Sequence, residues 1–410
     1  MPEFLTVLPP DEALAKLFEH LPSNPQPEVI NSADALNRVT FEAVRAPSPL
    51  PAFPRSTMDG YAVRAQDTFG ASQSLPAYLT IVGEVPMGRA PTFELKPTQA
   101  ALIHTGGMIP LGADAVVQVE VTQKTQENEI EVLKAVAPGE NILRMGDDVS
   151  EGDTILPAGH WIRPQDLGGL SALGITRITV GRRPRIALLA TGDEVVPPDS
   201  DAGPGQVRDV NSYAVSGQIE RAGGIAIRRG IAPDYFDALK AAAESALAES
   251  DALVLSAGSS VSVRDMTADV IESLGKPGTI VHGVAVKPGK PTILAMADGK
   301  PVFGLPGNPV SAMVITDLFV VPTTYRLQGC TAPPTQRNVR AKITHNLPSQ
   351  AGRVDYTPAR LVMRGGEGWV EPIFGKSNQI FTLVSADGMI ITPRDSNGLS
   401  AGETVEVRLL

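Results

Sequence analysis

From Arg182 to about Leu327, short continuous apolar runs alternate with longer amphipathic stretches. The runs are RIALLA, IAIRRG, DALVLS, TIVHGVAV, PTILAM and PVFGL, and the stretches lie near 209 to 222, 234 to 249, 265 to 274 and 309 to 319. A four-to-six-residue apolar run suits a strand covered on both faces, and alternation with helical periodicity predicts a doubly wound α/β domain built on a parallel sheet. Asp209, Asp234 and Asp265 fall where helix N-caps are expected, and Gly223 and Gly275 fall where helices should stop.

The flanks follow other patterns. From Val44 to about Val136 the runs are shorter and β-branched (LTIVGEV, AALIHTG, AVVQVEV, IEVLKAV) and are separated by Pro, Gly and Asp, which predicts a small β-rich domain. Asp11 caps an expected helix to Leu21, Ser32 another to about Arg38, and Pro164 starts a third whose Leu167, Leu170 and Leu173 share a face until Gly174. After Pro333 the segments VRAKITHNL, YTPARLVM, GWVEPIF, GMIITP and ETVEVRLL read as a compact all-β module. The expected division is 1–46 with 141–180 as a connecting domain, 47–140 as an inserted β-rich domain, 181–330 as the α/β domain and 331–410 as a C-terminal β domain.

The 410 residues exceed what one core organises. With 42% apolar and 20% charged residues the composition is that of a globular protein, and a net charge of -10 argues against a general nucleic-acid binder. Cys330 is the only cysteine, and the five histidines have no close zinc-ligand spacing. The N-terminus lacks a basic start and apolar core, and the apolar run MVITDLFVV is broken by Asp317. A soluble, cytoplasmic protein is expected.

Candidate chemistry gathers at predicted strand ends, where open α/β sheets bind ligands. The run Pro306-Gly307-Asn308-Pro309 passes from a strand straight into an apolar helix, so amides of the first turn should face an anion. Lys287-Pro-Gly-Lys290 holds two ammonium groups in a turn fixed by proline and glycine; the bland alternative is a solvated surface pair. Glu194 follows another strand, where a solvated turn residue is equally expected, and Asp234 and Asp265 are natural caps as well as candidate ligands. Cations and carboxylates together suit a phosphate with its divalent metal. In the β-rich domain Asp59-Gly60 and Thr105-Gly106-Gly107 read as turns, as does Gly146-Asp147-Asp148 just after it. Physical reasoning alone reaches an anion-binding α/β enzyme.

At these residues the chain resembles the MoeA-type molybdopterin molybdenumtransferases, related to the C-terminal part of gephyrin. The matching segments run in order along nearly the whole chain: STMDGYAVR, GEVPMG, HTGG with PLGADAVV, GDDVSEGD, RPRIALLATGDEVV, GQVRDVNSY, LSAGSSVSVRD, VKPGKP and GLPGNPVSA. The resemblance implies a homodimer of four-part subunits that inserts molybdate into adenylyl-molybdopterin and releases AMP, with Mg2+ as the expected cation. It also implies possible contact with the molybdopterin-adenylating enzyme. Carried over by position, Lys287 and Lys290 hold anionic oxygens, and Asp265 and Glu194 bind the cation or orient the phosphoanhydride. Asp59 joins these as a catalytic residue. Thr105, Asp148, Asp234, Ser259, Ser260 and the Pro306, Gly307, Asn308 and Pro309 turn contact substrate, as do Arg353 and Thr382 in the C-terminal module. The resemblance further implies that Asp59 and Thr105 face the α/β domain of a second subunit.

The chain departs from the pattern where relatives commonly carry glycine, with Ala257 and Ser262 in place, and Thr382 replaces a more usual serine. Glycines serve backbone that side chains disfavour, so these positions support the first of two alternatives to the insertion enzyme. One is a non-catalytic paralogue that carries the pterin nucleotide or scaffolds a partner. The other is a nucleotidyl transferase on the same α/β core.

Overall fold

The computed structural model describes residues 7–257 and 261–410. Contacts divide the chain into two compact units. One comprises Met1–Glu42, Ala158–Arg163 and Ile178–Leu410; the other comprises Ala43–Pro157 with Pro164–Arg177.

The first unit is centred on a six-stranded sheet. Its spatial order is Ile225–Ala232, Arg185–Thr191, Ala252–Ser256, Lys300–Leu305, Ile293–Ala297, Pro277–His282. The first four strands are parallel, as the alternating pattern predicts. Ile293–Ala297 runs antiparallel to both its neighbours, so the sheet is mixed rather than wholly parallel. The reason is local: Ile293–Ala297 and Lys300–Leu305 are joined by Asp298 (φ 49°) and Gly299 (φ 86°), a two-residue Asp-Gly turn whose left-handed backbone matches the twist of an antiparallel hairpin.

The apolar runs are buried on both faces, and the period of two sorts them. Ile186, Leu188, Val254, Phe303 and Leu305 pack against Val215, Ile219, Ile315 and Phe319 on one side. Ala187, Leu189, Leu253, Leu255 and Val302 pack against Leu239, Ala243, Val270 and Ile271 on the other. Phe303 is fully buried at the centre, where truncation to alanine costs about 3–5 kcal/mol. The helices are Asn211–Arg221, Phe236–Ala248, Val261–Ser273 and a continuous run from Pro309 to Leu327 with a π-helical turn at Thr316–Val320. By length and composition that last helix could cross a membrane, but 56% of its apolar window is buried within the protein, as befits a core helix.

Capping differs from the expectation at three of four aspartates: Asp11 lies inside the helix Pro10–His20, whose cap position is Pro9, and Asp234 and Asp265 depart as well. Asp209 accepts from the Ser212 amide at 3.0 Å, at the start of its helix. Asp234 stands two residues before its helix and turns back to the neighbouring strand end. Asp265 lies inside the helix that starts at Val261, because a cap worth about 1 kcal/mol does not outweigh extending an amphipathic helix by a turn. The expected helix from Ser32 is a single 3-10 turn, Ser32–Asp34, since Asn37 takes a φ of 60° and ends helical geometry.

The C-terminal strands close on themselves. Val354–Arg364 pairs with Glu367–Pro372 through its second half and with Gly388–Thr392 through its first, and Asn338–Ile343 with Thr404–Leu409 complete a five-stranded barrel. The short strand Val286–Lys287 adds in parallel to its start, with Val286 opposite Val354 and Lys287 opposite Asp355.

In the second unit, six strands form a sheet whose ends are Ala115–Gln118 and Thr122–Gln126. Val63, Leu79, Val117, Ile130 and Val132 build its main core. Helix Pro164–Ala172 buries Leu170, as its leucine spacing predicts.

Candidate active site

The pair Lys287 and Lys290 sits in a turn held at several points. Gly289 has a φ of 121°, and a Cβ there would lie 2.6 Å from the buried Ile315 side chain. The Thr292 hydroxyl donates to the Gly289 carbonyl at 2.7 Å, and the Val284 and Thr292 amides donate to the Lys290 carbonyl at 3.0 and 2.9 Å. Glycine is therefore required by both backbone angle and close approach. Both lysine side chains are exposed and line a cavity of about 980 Å³.

The C-terminal barrel supplies the facing wall of that cavity, including Arg353, Asp355, Lys376 and Thr382. Asp355 is the residue that sequence reasoning missed. Only 4% exposed, its carboxylate accepts from Arg353 Nε at 2.9 Å and from the Ser349 hydroxyl at 2.9 Å, and lies 3.6 Å from Lys287 Nζ. The signal was present in Arg353-Val354-Asp355, since residues two apart on a strand share a face. The Thr382 hydroxyl donates to the Gln379 carbonyl at 2.8 Å, steadying the wall locally.

The Pro306 to Pro309 turn is tied to the same module. Asn308 Nδ2 donates to the Ser377 hydroxyl at 2.9 Å, and the Val310 amide donates to the Ser377 carbonyl at 3.1 Å. This narrows the expectation that the first helical turn offers its amides to a ligand: Pro309 has none and Val310's is taken. Lys287, Lys290, Arg353 and Lys376 are the cations that line the same cavity. Asn211, also missed, knits the strand ends by donating to the Ser256 hydroxyl at 2.7 Å and to the Gly307 carbonyl at 2.8 Å.

A second cavity of about 600 Å³ adjoins through Asn308 and Asn378 and is lined by Glu194, Gly307 and Pro309. Asp234 accepts hydrogen bonds from the Thr191 hydroxyl and the Asp193 amide, which clamps the loop carrying Glu194. Asp265 is exposed on its helix. Ser259 and Ser260 lie outside the described residues. Ala257 is absent from the positive-φ residues, and Ser262 belongs to the Val261–Ser273 helix, so neither departure from glycine falls on left-handed backbone. Among the described residues no three His, Cys, Asp or Glu side chains cluster as a metal cage.

In the second unit, Asp59 and Thr105 come together. The Thr105 amide donates to the Asp59 carboxylate at 2.7 Å and the Thr105 hydroxyl at 3.2 Å. The backbone bond first, then the hydroxyl, holds the Asp59 carboxyl below the ordinary carboxylate range. His104 stands 3.8 Å from Asp59 and 3.1 Å from Glu84. Asp148 is exposed, with its amide on the Leu50 carbonyl at 3.0 Å.

Three family models match in sequence: the MoeA N-terminal region (domain I and II) over 8–174, the "probable molybdopterin binding domain" over 187–326, and the MoeA C-terminal region (domain IV) over 340–410. The chain belongs to the MoeA-type molybdopterin molybdenumtransferase family. A molybdopterin molybdenumtransferase of Haemophilus influenzae is 33% identical, with 97% of each chain covered. Its Bacillus subtilis counterpart is 32% identical over 100% of this chain and 96% of its own. The crystal structure of a molybdopterin biosynthesis MoeA protein from Pyrococcus horikoshii superposes with a TM-score of 0.80 at 37% identity, covering 98% of this chain and 99% of that one. The mixed sheet and C-terminal barrel therefore belong to the family's architecture.

Proposed function

We propose that this chain inserts molybdate into adenylyl-molybdopterin and releases AMP, in the cytoplasm and as a homodimer. The observation that carries the reading is the cavity in which Lys287 and Lys290 of the α/β domain face Arg353 and Lys376 of the barrel. Four cations around one space suit a ligand with several anionic oxygens, and they act most strongly where charge builds as the phosphoanhydride opens. The adjoining cavity would take the remainder of the nucleotide against Glu194 and the Pro306 to Pro309 turn.

A divalent cation, Mg2+ in this proposal, would offset phosphate charge when bound. Mg2+ is commonly held by one or two carboxylates beside substrate oxygens and water, so the lack of a three-residue cage among the described residues is compatible with it. Glu194 and Asp265 are the side chains that would hold it. Asp234 keeps the Glu194 loop in place through the Thr191 and Asp193 bonds.

The four-part division by residues 1–46 with 141–180, 47–140, 181–330 and 331–410 is part of the proposal. So is a composite site, in which Asp59 and Thr105 of one subunit serve the α/β domain of another; mixing Asp59→Asn and Asp265→Asn chains would then restore activity in heterodimers. Delivery of the substrate by the molybdopterin-adenylating enzyme fits the same chemistry.

The deciding assay supplies adenylyl-molybdopterin, molybdate and Mg2+, then follows AMP and active cofactor together. Tight binding without AMP would establish a carrier instead, and adenylylation of free molybdopterin from ATP would establish a nucleotidyl transferase.

A further inference from the structure

Asp355 is a carboxylate in a place that electrostatics alone would reserve for a cation. It lines a cavity built of Lys287, Lys290, Arg353 and Lys376, and an anion entering there meets its negative charge. A buried carboxylate is retained at such a cost only where its own contacts hold it, and here three are at hand: Arg353 at 2.9 Å, Ser349 at 2.9 Å and Lys287 at 3.6 Å. Two of these partners are cations from different parts of the chain. Arg353 precedes the barrel's long strand, while Lys287 ends the short strand that pairs with it.

The register makes this specific. Lys287 stands directly opposite Asp355, so the backbone pairing delivers the lysine to the carboxylate, and Arg353 reaches it from two positions earlier in the chain, just before the strand begins. The Lys287 side chain remains 57% exposed and that of Arg353 34%, against 6% for Asp355. Each cation therefore keeps hydrogen-bonding capacity toward the cavity after satisfying the carboxylate, because a lysine ammonium has three donors and a guanidinium five.

We infer that Asp355 is a positioning residue that holds Lys287 and Arg353 side by side as a two-cation cradle for a tetrahedral oxyanion, molybdate in the reaction proposed above. The inference rests on that reading for the ligand's identity and on the geometry for the residue. Without the carboxylate the two like charges repel and their long side chains regain rotamer freedom, so affinity for the oxyanion falls although neither cation has been removed.

The test compares wild type, Asp355→Asn and Asp355→Glu as full chains. AMP release is measured against molybdate concentration, and molybdate alone is titrated by calorimetry. Asp355→Asn is expected to raise the KM for molybdate about tenfold with kcat changed less than about threefold, a loss equivalent to one or two charge-assisted hydrogen bonds. Asp355→Glu should recover part of that loss. Adding Lys287→Gln to Asp355→Asn should raise KM by less than it does in the wild-type background, since the lysine has already lost its anchor.

An unchanged KM and unchanged calorimetric affinity in a folded Asp355→Asn protein, or full additivity with Lys287→Gln, would overturn the inference. Should Asp355→Asn fail to fold, Ser349→Ala weakens the same carboxylate more gently and must still raise the molybdate KM. If the wild type releases no AMP, the proposed reaction fails; the calorimetric comparison still decides the role of Asp355.

Discussion

Thr105 grips Asp59 twice, with its amide at 2.7 Å and its hydroxyl at 3.2 Å, although the carboxylate is otherwise open to solvent. The backbone bond is the larger cause of the lowered pKa, so the two contributions are separable. A carboxyl-carbon NMR titration should place Asp59 below the ordinary range in wild type. In Thr105→Val the midpoint should rise, yet stay lowered, because the amide remains. The sign follows from linkage: a depressed native pKa adds stability above the unfolded value, and that stability is lost as pH falls through the native one. A midpoint unmoved by Thr105→Val would remove the hydroxyl from this account.

Gly289→Ala should fail on two counts, since its φ of 121° disfavours a side chain and the new Cβ would press on Ile315 at 2.6 Å. Overpacking a filled core costs about 1–3 kcal/mol, and the backbone angle adds to it. Urea unfolding should show a loss near the top of that range. AMP release should fall further than stability alone explains, because both lysines flank the displaced turn. Gly299→Ala is the control: its φ is 86° with open space around it, so stability should drop by about 1 kcal/mol with activity retained.

Lys287→Met separates function from stability. The side chain is 57% exposed and its ion pair 3.6 Å long, so exposed-pair energetics set the stability cost at about 1 kcal/mol or less. Asp355 also keeps Arg353 and Ser349 as partners. Catalysis should suffer far more, with AMP release down about a hundredfold or beyond if the lysine meets charge developing in the transition state. A stability loss of several kcal/mol with modest loss of turnover would reverse that assignment.

Ala257→Gly tests whether the departure from the family's glycine matters. Ala257 is buried and lies outside the positive-φ set, with its amide 3.4 Å from the Leu305 carbonyl. The glycine variant should therefore be less stable by about 0.5–1 kcal/mol, with no gain in AMP release. A clear gain would mean that the methyl group obstructs substrate.

Much of the α/β layer was legible because burial on both faces writes itself as unbroken apolar runs. The reversal of Ile293–Ala297 was written too, in Asp298-Gly299, but a turn of two residues is easily read past among longer signals. Lys287, Lys290 and Arg353 could be picked from sequence as candidate anion holders; their meeting across one cavity could not, because it depends on the pairing of Lys287 with Asp355, 68 positions away. Helix caps at Asp234 and Asp265 were misread for the opposite reason, as a local rule applied where tertiary bonds and helix extension prevail. Ser377 illustrates the same limit, since nothing in its neighbourhood marks it as the residue that occupies the Val310 amide.

The two-residue pairing of Val286–Lys287 with the barrel's long strand also bears on how this architecture can be taken apart. An α/β domain transplanted by itself into another protein would keep its sheet and helices but lose the edge on which one of its own lysines is seated. A transplant that keeps Lys287 on its pairing edge must carry the barrel's long strand along with it, which makes the pair, rather than either domain, the unit to engineer.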